Sequence, residues 1–268
     1  MRYKLAEDAK PQVLLLLIAT AITIILWFIP YADYLVYPIR LFVTFIHESS
    51  HAIVAVLTGG SVQSLTISSD GSGVVYSAPS GLIGGLLTSS AGYLGTTVFG
   101  VVMLYLIRRS VSPNKVLYAS AGFVTAMTLV FAIVSPMFNF LSLQVGFSTI
   151  SFTILAGTLL AVALFAIGKF ASIRVANFAV AFLAVQCLLN ALSDLKTVFF
   201  MSSPLIGSDM QTDAANMATA TGIPGFMWVV IWIGISLAMI SLGLRFYAVS
   251  RSKAAASDSV FEDQGNGV

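Results

Sequence analysis

The only two histidines of the chain stand four residues apart, with a glutamate directly after the first. They are His47 and His51, with Glu48 between them, in the segment FVTFIHESSHAIVAVLTGG. On a helix, positions i and i+4 lie one above the other, so both imidazoles can reach one metal ion. Glu48 is rotated by about 100° from His47 and can act on a water molecule without being a ligand. This H-E-x-x-H pattern predicts a zinc site with Glu48 as catalytic base. The alternative is a chance pairing of two interior histidines at a polar helix contact.

A hydrolytic zinc site of this kind needs a third protein ligand, and its fourth position is left open for water. Of the 11 acidic residues, only Glu48 and Asp194 lie within long apolar runs, where ionisable side chains usually have a function. Asp194 is therefore the predicted third ligand. The alternatives are that Asp194 pairs with Lys196 near a helix end, and that Asp209 or Asp213 folds back to supply the ligand.

Two further residues share the predicted helix face of Asp194. Asn190 lies one turn earlier and could orient a ligand carboxylate from the second shell, or could instead bond a neighbouring helix. Cys187 lies seven residues before Asp194. We expect a buried, structural cysteine, because a thiolate in lipid needs a nearby cation.

The composition places these residues in a membrane. The chain has 268 residues, of which 58% are hydrophobic and 9% charged, and its mean hydropathy is +0.95, whereas about a quarter of the residues of a soluble protein are charged. The net charge of +2 is too small and dispersed for a nucleic-acid surface, and one cysteine permits no intrachain disulfide. The expected partners are the lipid bilayer and a membrane protein or peptide substrate.

The apolar runs predict an all-α polytopic membrane protein with about seven spans and a short β-hairpin between spans 2 and 3. About 20 apolar residues cross the hydrocarbon, and runs of this kind lie near 12–30, 38–58, 81–107, 115–136, 147–168, 173–200 and 224–247. Residues 61–77 read as two short strands around an Asp70-Gly71 turn. Thr212 or Asp213 could begin a short helix that stops at Gly222. Residues 1–247 then form one domain, and the polar tail 248–268 is expected to be disordered.

Positive charges in short loops mark the cytoplasmic side. From the third span onward, all loop Lys and Arg fall on one side, which places the hairpin connection opposite and the C-terminal tail in the cytoplasm. The same count puts the N-terminus outside despite its three basic residues. A first segment that does not fully cross would remove this conflict. The lack of disulfides and of a targeting segment favours a bacterial plasma membrane.

Several segments together resemble the M50, or site-2 protease, group of intramembrane zinc metallopeptidases, and most closely its M50B-like branch. The similarity covers roughly residues 38–247, and the segments that carry it are HESSHAIVAVLTGG, SSAGYLGTTVFG, NALSDL and TDAANMATATGIPGFMW. The resemblance implies a helical bundle that holds zinc within the membrane. Carried over by position, it makes His47, His51 and Asp194 the ligands and Glu48 the base. In better-known members a glycine follows the third ligand, whereas Leu195 follows Asp194.

The predicted function is hydrolysis of peptide bonds in or near membrane-embedded substrate segments. A helical substrate must unwind before its carbonyl can be attacked, and an unwound segment could pair with an exposed edge of the hairpin. The hairpin could equally just pack on the bundle. Two alternatives compete with the protease. One is an ion or metal transporter that uses the same residues, although no internal repeat is visible. The other is an inactive homologue that only binds membrane partners.

Overall fold

The computed structural model describes residues 10–26, 29, 31–142, 144–202 and 212–249, and most of them are helical. The helices are α1 Lys10–Leu26, α2 Ala32–Leu57, α3 Gly81–Arg108, α4 Pro113–Met127, α5 Ser135–Phe138, α6 Phe147–Phe170, α7 Ile173–Met201, α8 Asp213–Thr221 and α9 Gly225–Val249. A π-helical segment, Thr128–Val134, joins α4 to α5, and a 3-10 turn follows at Phe140–Ser142. The strands are β1 Ser61–Ile67 and β2 Gly73–Ala78. The predicted C-terminal tail from residue 250 onward and Asp209 lie outside the described residues, and the first two positions of that tail belong to α9.

Six helical segments of the described chain are long and apolar enough to cross a membrane. They are Tyr34–Leu57, Gly81–Arg108, Pro113–Phe138, Phe147–Phe170, Ile173–Met201 and Gly225–Arg245. These confirm the predicted membrane fold and six of its seven spans. The first helix differs, because α1 has 17 residues and rises about 26 Å, less than the roughly 30 Å of a hydrocarbon core. A first segment that does not fully cross the membrane would remove the conflict between the basic N-terminal residues and the orientation that the loop charges indicate.

Close helix contacts in the centre of the bundle depend on the glycines of α3. A Cβ on Gly95 would collide with the side chain of Ser50 on α2, and a Cβ on Gly100 would lie 2.8 Å from Leu188 Cδ2 on α7. Small residues let membrane helices approach closely where no hydrophobic force drives them together. Cys187 of α7 is completely buried, as predicted. The α3 backbone therefore lies directly against the helices that carry the sequence motifs.

The hairpin forms at the predicted position. β1 and β2 are antiparallel, with Ser61 opposite Ala78 and Ile67 opposite Gly73. Gly71 takes a φ of 84°, which suits glycine, and Ser72 donates hydrogen bonds to Asp70 from its backbone nitrogen (2.9 Å) and its hydroxyl (2.6 Å). These two hydrogen bonds lower the pKa of Asp70. The Asp70-Gly71 turn is thereby confirmed.

The hairpin folds back along α2 instead of extending away from the bundle. Its turn is held by two residues from the first half of α2: the Tyr37 hydroxyl donates to the Ser69 carbonyl (2.6 Å) and the Thr44 hydroxyl to the Gly71 carbonyl (2.9 Å). Tyr37 lies about 30 Å before the C-terminal end of α2 along its axis. Leu65 and Ile67 of β1 are fully buried. The hairpin is therefore embedded among the membrane-spanning helices.

The two outer edges of the hairpin differ. At β1, the Ile67 nitrogen donates to the Thr153 hydroxyl of α6 (2.8 Å), which in turn lies 3.2 Å from the Ile67 carbonyl oxygen. The outer edge of β2 runs along a cavity lined by its residues 73–77. Backbone groups at membrane depth need partners or a water-filled space. One edge is therefore covered by a helix side chain, and the other remains available to a ligand.

The short helix α8 begins and ends where the sequence predicts. The Thr212 hydroxyl accepts a hydrogen bond from the Ala215 nitrogen (3.2 Å), and the helix stops at Gly222, whose φ is 73°. Ala214 and Met217 are buried in a cluster with Trp232 of α9. This packing inserts the first turn of α8, and Asp213 with it, into the bundle.

Candidate metal centre

The two histidines of α2 present their Nε2 atoms to one point. The His47 and His51 Nε2 atoms are 3.0 Å apart, as the i and i+4 spacing predicts. The other ring nitrogen of His51, Nδ1, lies 2.6 Å from the Thr88 carbonyl oxygen of α3. A carbonyl only accepts, so Nδ1 carries the proton and the Nε2 lone pair is free for a ligand bond. This arrangement is typical of histidines that bind metal ions.

Asp213 at the start of α8 completes a group of three. Its Oδ2 atom lies 3.3 Å from His51 Nε2 and 3.7 Å from His47 Nε2. Burial alone would raise the pKa of Asp213, but the neighbouring imidazoles hold the pKa of this carboxyl below its ordinary value. One ligand atom from each residue lies within 4.8 Å of the others, and His47, His51 and Asp213 together could hold a metal ion.

The donor set and the space around it fit zinc. Two imidazole nitrogens and one carboxylate oxygen are ligands that zinc accepts at catalytic sites, where a fourth position stays open. The α3 backbone at Gly92 lies against both imidazoles, and a Cβ at this position would collide with His47 and His51. Only glycine leaves the space beside the two nitrogens free.

Glu48 lies beside this group without joining it. Its side chain is buried, with 6% of the residue exposed, and it packs against Gly73 of β2, where a Cβ would come 2.7 Å from Glu48 Oε1. The Val75 backbone amide hydrogen-bonds the Glu48 carboxylate. The base predicted from the sequence is thus held between α2 and the free edge of β2.

Asp194 and Asn190 lie on another side of His47. Both line a cavity of about 220 Å³ that also touches His47 and Glu48. The Asn190 amide nitrogen donates to the Gln186 side-chain oxygen (3.1 Å) and to its backbone oxygen (3.0 Å). Asp194 is not part of the three-residue group described above. Its predicted role as a ligand is not tested by this arrangement, which brings Asp213 nearest to the two Nε2 atoms.

A second, larger cavity of about 670 Å³ lies along β2 and α8. It contains the three candidate ligands. Among the described residues, four line both cavities: His47, Glu48, Gly73 and Tyr93. Tyr93 was not identified from the sequence, where a single tyrosine in an apolar helix gives no signal. The candidate metal centre therefore lies where a larger and a smaller polar space meet inside the bundle.

The fold and the site define an integral membrane protein with a buried group of two histidines and one aspartate that could bind a metal ion. The family model described as Peptidase M50B-like matches residues 17–243, and the chain belongs to this family. Membership of the M50 group, expected from the sequence, is confirmed and suggests a metallopeptidase. No curated protein and no solved structure matches the chain.

Proposed function

We propose that the protein is an intramembrane zinc metalloprotease. One observation carries this proposal: His47 and His51 of a membrane-spanning helix converge with Asp213 beside the buried Glu48. Family membership supports the same function. A transporter would need a route by which the ion leaves, whereas this group lies beside a base and an open strand edge.

We assign the three ligand positions to His47, His51 and Asp213, with Asp194 as the alternative third ligand. Zinc bound there would polarise the scissile carbonyl and lower the pKa of a water molecule. The contact of His51 Nδ1 with the Thr88 carbonyl directs the Nε2 atom of His51 towards the ligand position. Asn190, whose amide nitrogen donates to Gln186, lines the smaller cavity with Asp194 and would serve as a second-shell residue.

Glu48 carries the proton during hydrolysis. It takes a proton from the attacking water while the water oxygen bonds to the carbonyl carbon, and delivers it to the amide nitrogen as the C–N bond breaks. The products are a carboxylic acid and an amine, which ionise to a carboxylate and an ammonium group. Burial against Gly73 and contact with the Val75 amide hold the Glu48 carboxylate in a fixed position for both transfers.

The free edge of β2 would hold the substrate in an extended form. In an antiparallel pair, the backbone groups of successive residues point alternately towards the partner strand and away from it. Ser68 donates to the Ser72 carbonyl (2.8 Å), so the groups of Gly73 and Val75 point away from β1. Val75 is directed towards Glu48. A segment paired with this edge would place its carbonyls beside the base and satisfy its backbone there.

The test is to purify the protein, measure zinc by elemental analysis and assay cleavage of a transmembrane peptide in liposomes. We expect about one zinc per chain and cleavage that disappears in Glu48→Gln, with zinc retained because Glu48 is not a ligand. Zinc without cleavage in the wild type would favour the inactive, partner-binding homologue. Cleavage that survives Glu48→Gln would contradict the proposed mechanism, and zinc transport into vesicles would favour the transporter.

A further inference from the structure

Tyr93 of α3 stands at the junction of the two cavities. It is one of four residues that line both, and the other three are the candidate ligand His47, the base Glu48 and Gly73. Its neighbour in the chain, Gly92, contacts the imidazoles. A bond cleaved by Glu48 would lie at this junction, so Tyr93 is placed next to the reacting atoms.

The ring of Tyr93 is held on two sides. It packs edge-on against the imidazole of His47, with ring centroids 4.7 Å apart and an interplanar angle of 79°. Its other neighbour is Trp232, at 5.4 Å. Trp232 is 1% exposed, and its Nε1 donates to the Ser90 hydroxyl (3.0 Å). Rigid packing of this kind fixes the direction of the phenol hydroxyl before a substrate binds.

The hydroxyl of Tyr93 has no hydrogen-bond partner within the described part of the chain, although the residue is only 6% exposed. The carboxylates of Asp213, Asp194 and Glu48 all act on it electrostatically, which places it among the acidic groups of the site. Tyr93 lines both cavities, so a ligand bound at their junction can reach its unused hydroxyl donor.

Three other donors that line the two cavities are engaged. The Asn190 amide nitrogen donates to Gln186, the Nδ1–H of His51 donates to Thr88, and the Thr44 hydroxyl donates to the hairpin turn. The carboxylates only accept. Tyr93 supplies a neutral donor at the junction, because a phenol keeps its proton at pH 7.

We propose that Tyr93 is a catalytic residue that donates a hydrogen bond to the substrate carbonyl oxygen as this oxygen becomes negative. When the water oxygen bonds to the carbonyl carbon, the π electrons of the C=O bond move to the oxygen, and the Tyr93 O–H stabilises the charge without transferring its proton. The C=O bond then re-forms, the C–N bond breaks, and the amine leaves with the proton carried by Glu48. This inference rests on the proposed protease function.

The variant that tests it is Tyr93→Phe, which removes the hydroxyl and keeps the ring packing. Loss of one such donor lowers kcat by about 100- to 1000-fold. We expect that fall in kcat with KM changed less than about threefold, and zinc content and melting temperature as in the wild type. Tyr105→Phe, on the same helix but with a hydroxyl that contacts Arg109 (2.9 Å), is the matched control and should keep full activity.

A second measurement does not depend on turnover. A phosphinic peptide carries a negative, tetrahedral P–O group in place of the scissile bond, and calorimetry should show about 100-fold weaker binding to Tyr93→Phe than to the wild type. Binding of the uncleaved substrate to Glu48→Gln should be the same with and without Tyr93→Phe. Unchanged kcat and unchanged phosphinic binding would overturn the inference. A wild type that neither cleaves nor binds zinc would instead overturn the proposed function, and the inference with it.

Discussion

Two aspartates approach His47 from different cavities, and only one can complete a three-ligand site. Asp213 Oδ2 lies within 3.7 Å of both Nε2 atoms, whereas Asp194 lines the smaller cavity. We predict that Asp213→Asn lowers zinc affinity by at least about 100-fold, more than the loss of a second-shell partner would. Asp194→Asn should retain about one zinc per chain. The measurement is the zinc that each variant retains after competition with a chelator, determined by elemental analysis.

Comparing Asp213→Asn with Asp194→Asn decides which aspartate is the third ligand. Both replace a carboxylate by an amide of the same shape, so packing changes little, and a melting curve of each variant checks the fold. Zinc lost from Asp194→Asn but kept by Asp213→Asn would return the third ligand position to Asp194, in accordance with the motif-based assignment.

The residues of the site were predictable from sequence to different degrees. His47, Glu48 and His51 lie within one helical turn, so their spacing alone determines that they face one another. Asp213 comes from a connection more than 160 residues later, and its position depends on the packing of α8 against α3 and α9. The sequence favoured Asp194 because it lies in a long apolar run. Asp213 lies in a polar connection, and hydropathy alone does not show that this connection forms a short helix inside the bundle.

At the scale of the element, β2 determines how a substrate could bind. We predict that Val75→Pro raises KM by at least about 10-fold and also lowers kcat, because proline cannot donate a hydrogen bond and the Val75 N–H, which points away from β1, contacts the Glu48 carboxylate. Val75→Ala is the control, since it shortens the side chain but keeps the N–H and should bind substrate normally. The measurement is steady-state cleavage at several substrate concentrations, with zinc content as the check on folding.

Val75→Pro also tests whether the Val75 N–H binds the substrate or orients Glu48. The Val75 N–H also contacts the Glu48 carboxylate. A fall in kcat at unchanged KM would mean that this N–H orients the base and that the strand edge does not bind the substrate.

Local sequence signals predict the structure of the hairpin but not its position in the bundle. Its strands and its Asp70-Gly71 turn follow from β-type residues and turn chemistry. Its course follows from contacts that are distant in sequence, such as Thr153 of α6 with Ile67 and Tyr37 of α2 with Ser69. A hairpin placed between two spans reads as an external loop, and only these side-chain partners make burial of its polar backbone possible.

At the scale of the whole molecule, the charges and the hairpin together define an orientation that can be measured. Basic residues lie in or next to the short connections from α3 to α4 (Arg108 and Arg109) and from α6 to α7 (Lys169 and Arg174), which favours the cytoplasmic side for both. Gly81 starts α3 at the opposite end. The hairpin begins there and folds back until its turn contacts Tyr37, near the first residues of the span Tyr34–Leu57. The turn and the base of the hairpin should therefore face different sides of the membrane.

Cysteine labelling tests this arrangement, and the chain is suited to it because its only cysteine, Cys187, is buried. Exposed positions are available at Ser110 in the α3–α4 connection, Asp70 in the turn and Ser80 at the base of the hairpin. We predict that a membrane-impermeant maleimide labels Asp70→Cys and Ser110→Cys from the cytoplasmic side, and Ser80→Cys from the other. Labelling of Asp70→Cys together with Ser80→Cys would show that the hairpin does not cross the bundle. The turn, and the smaller cavity beside it, would then lie on the same side of the membrane as the base of the hairpin.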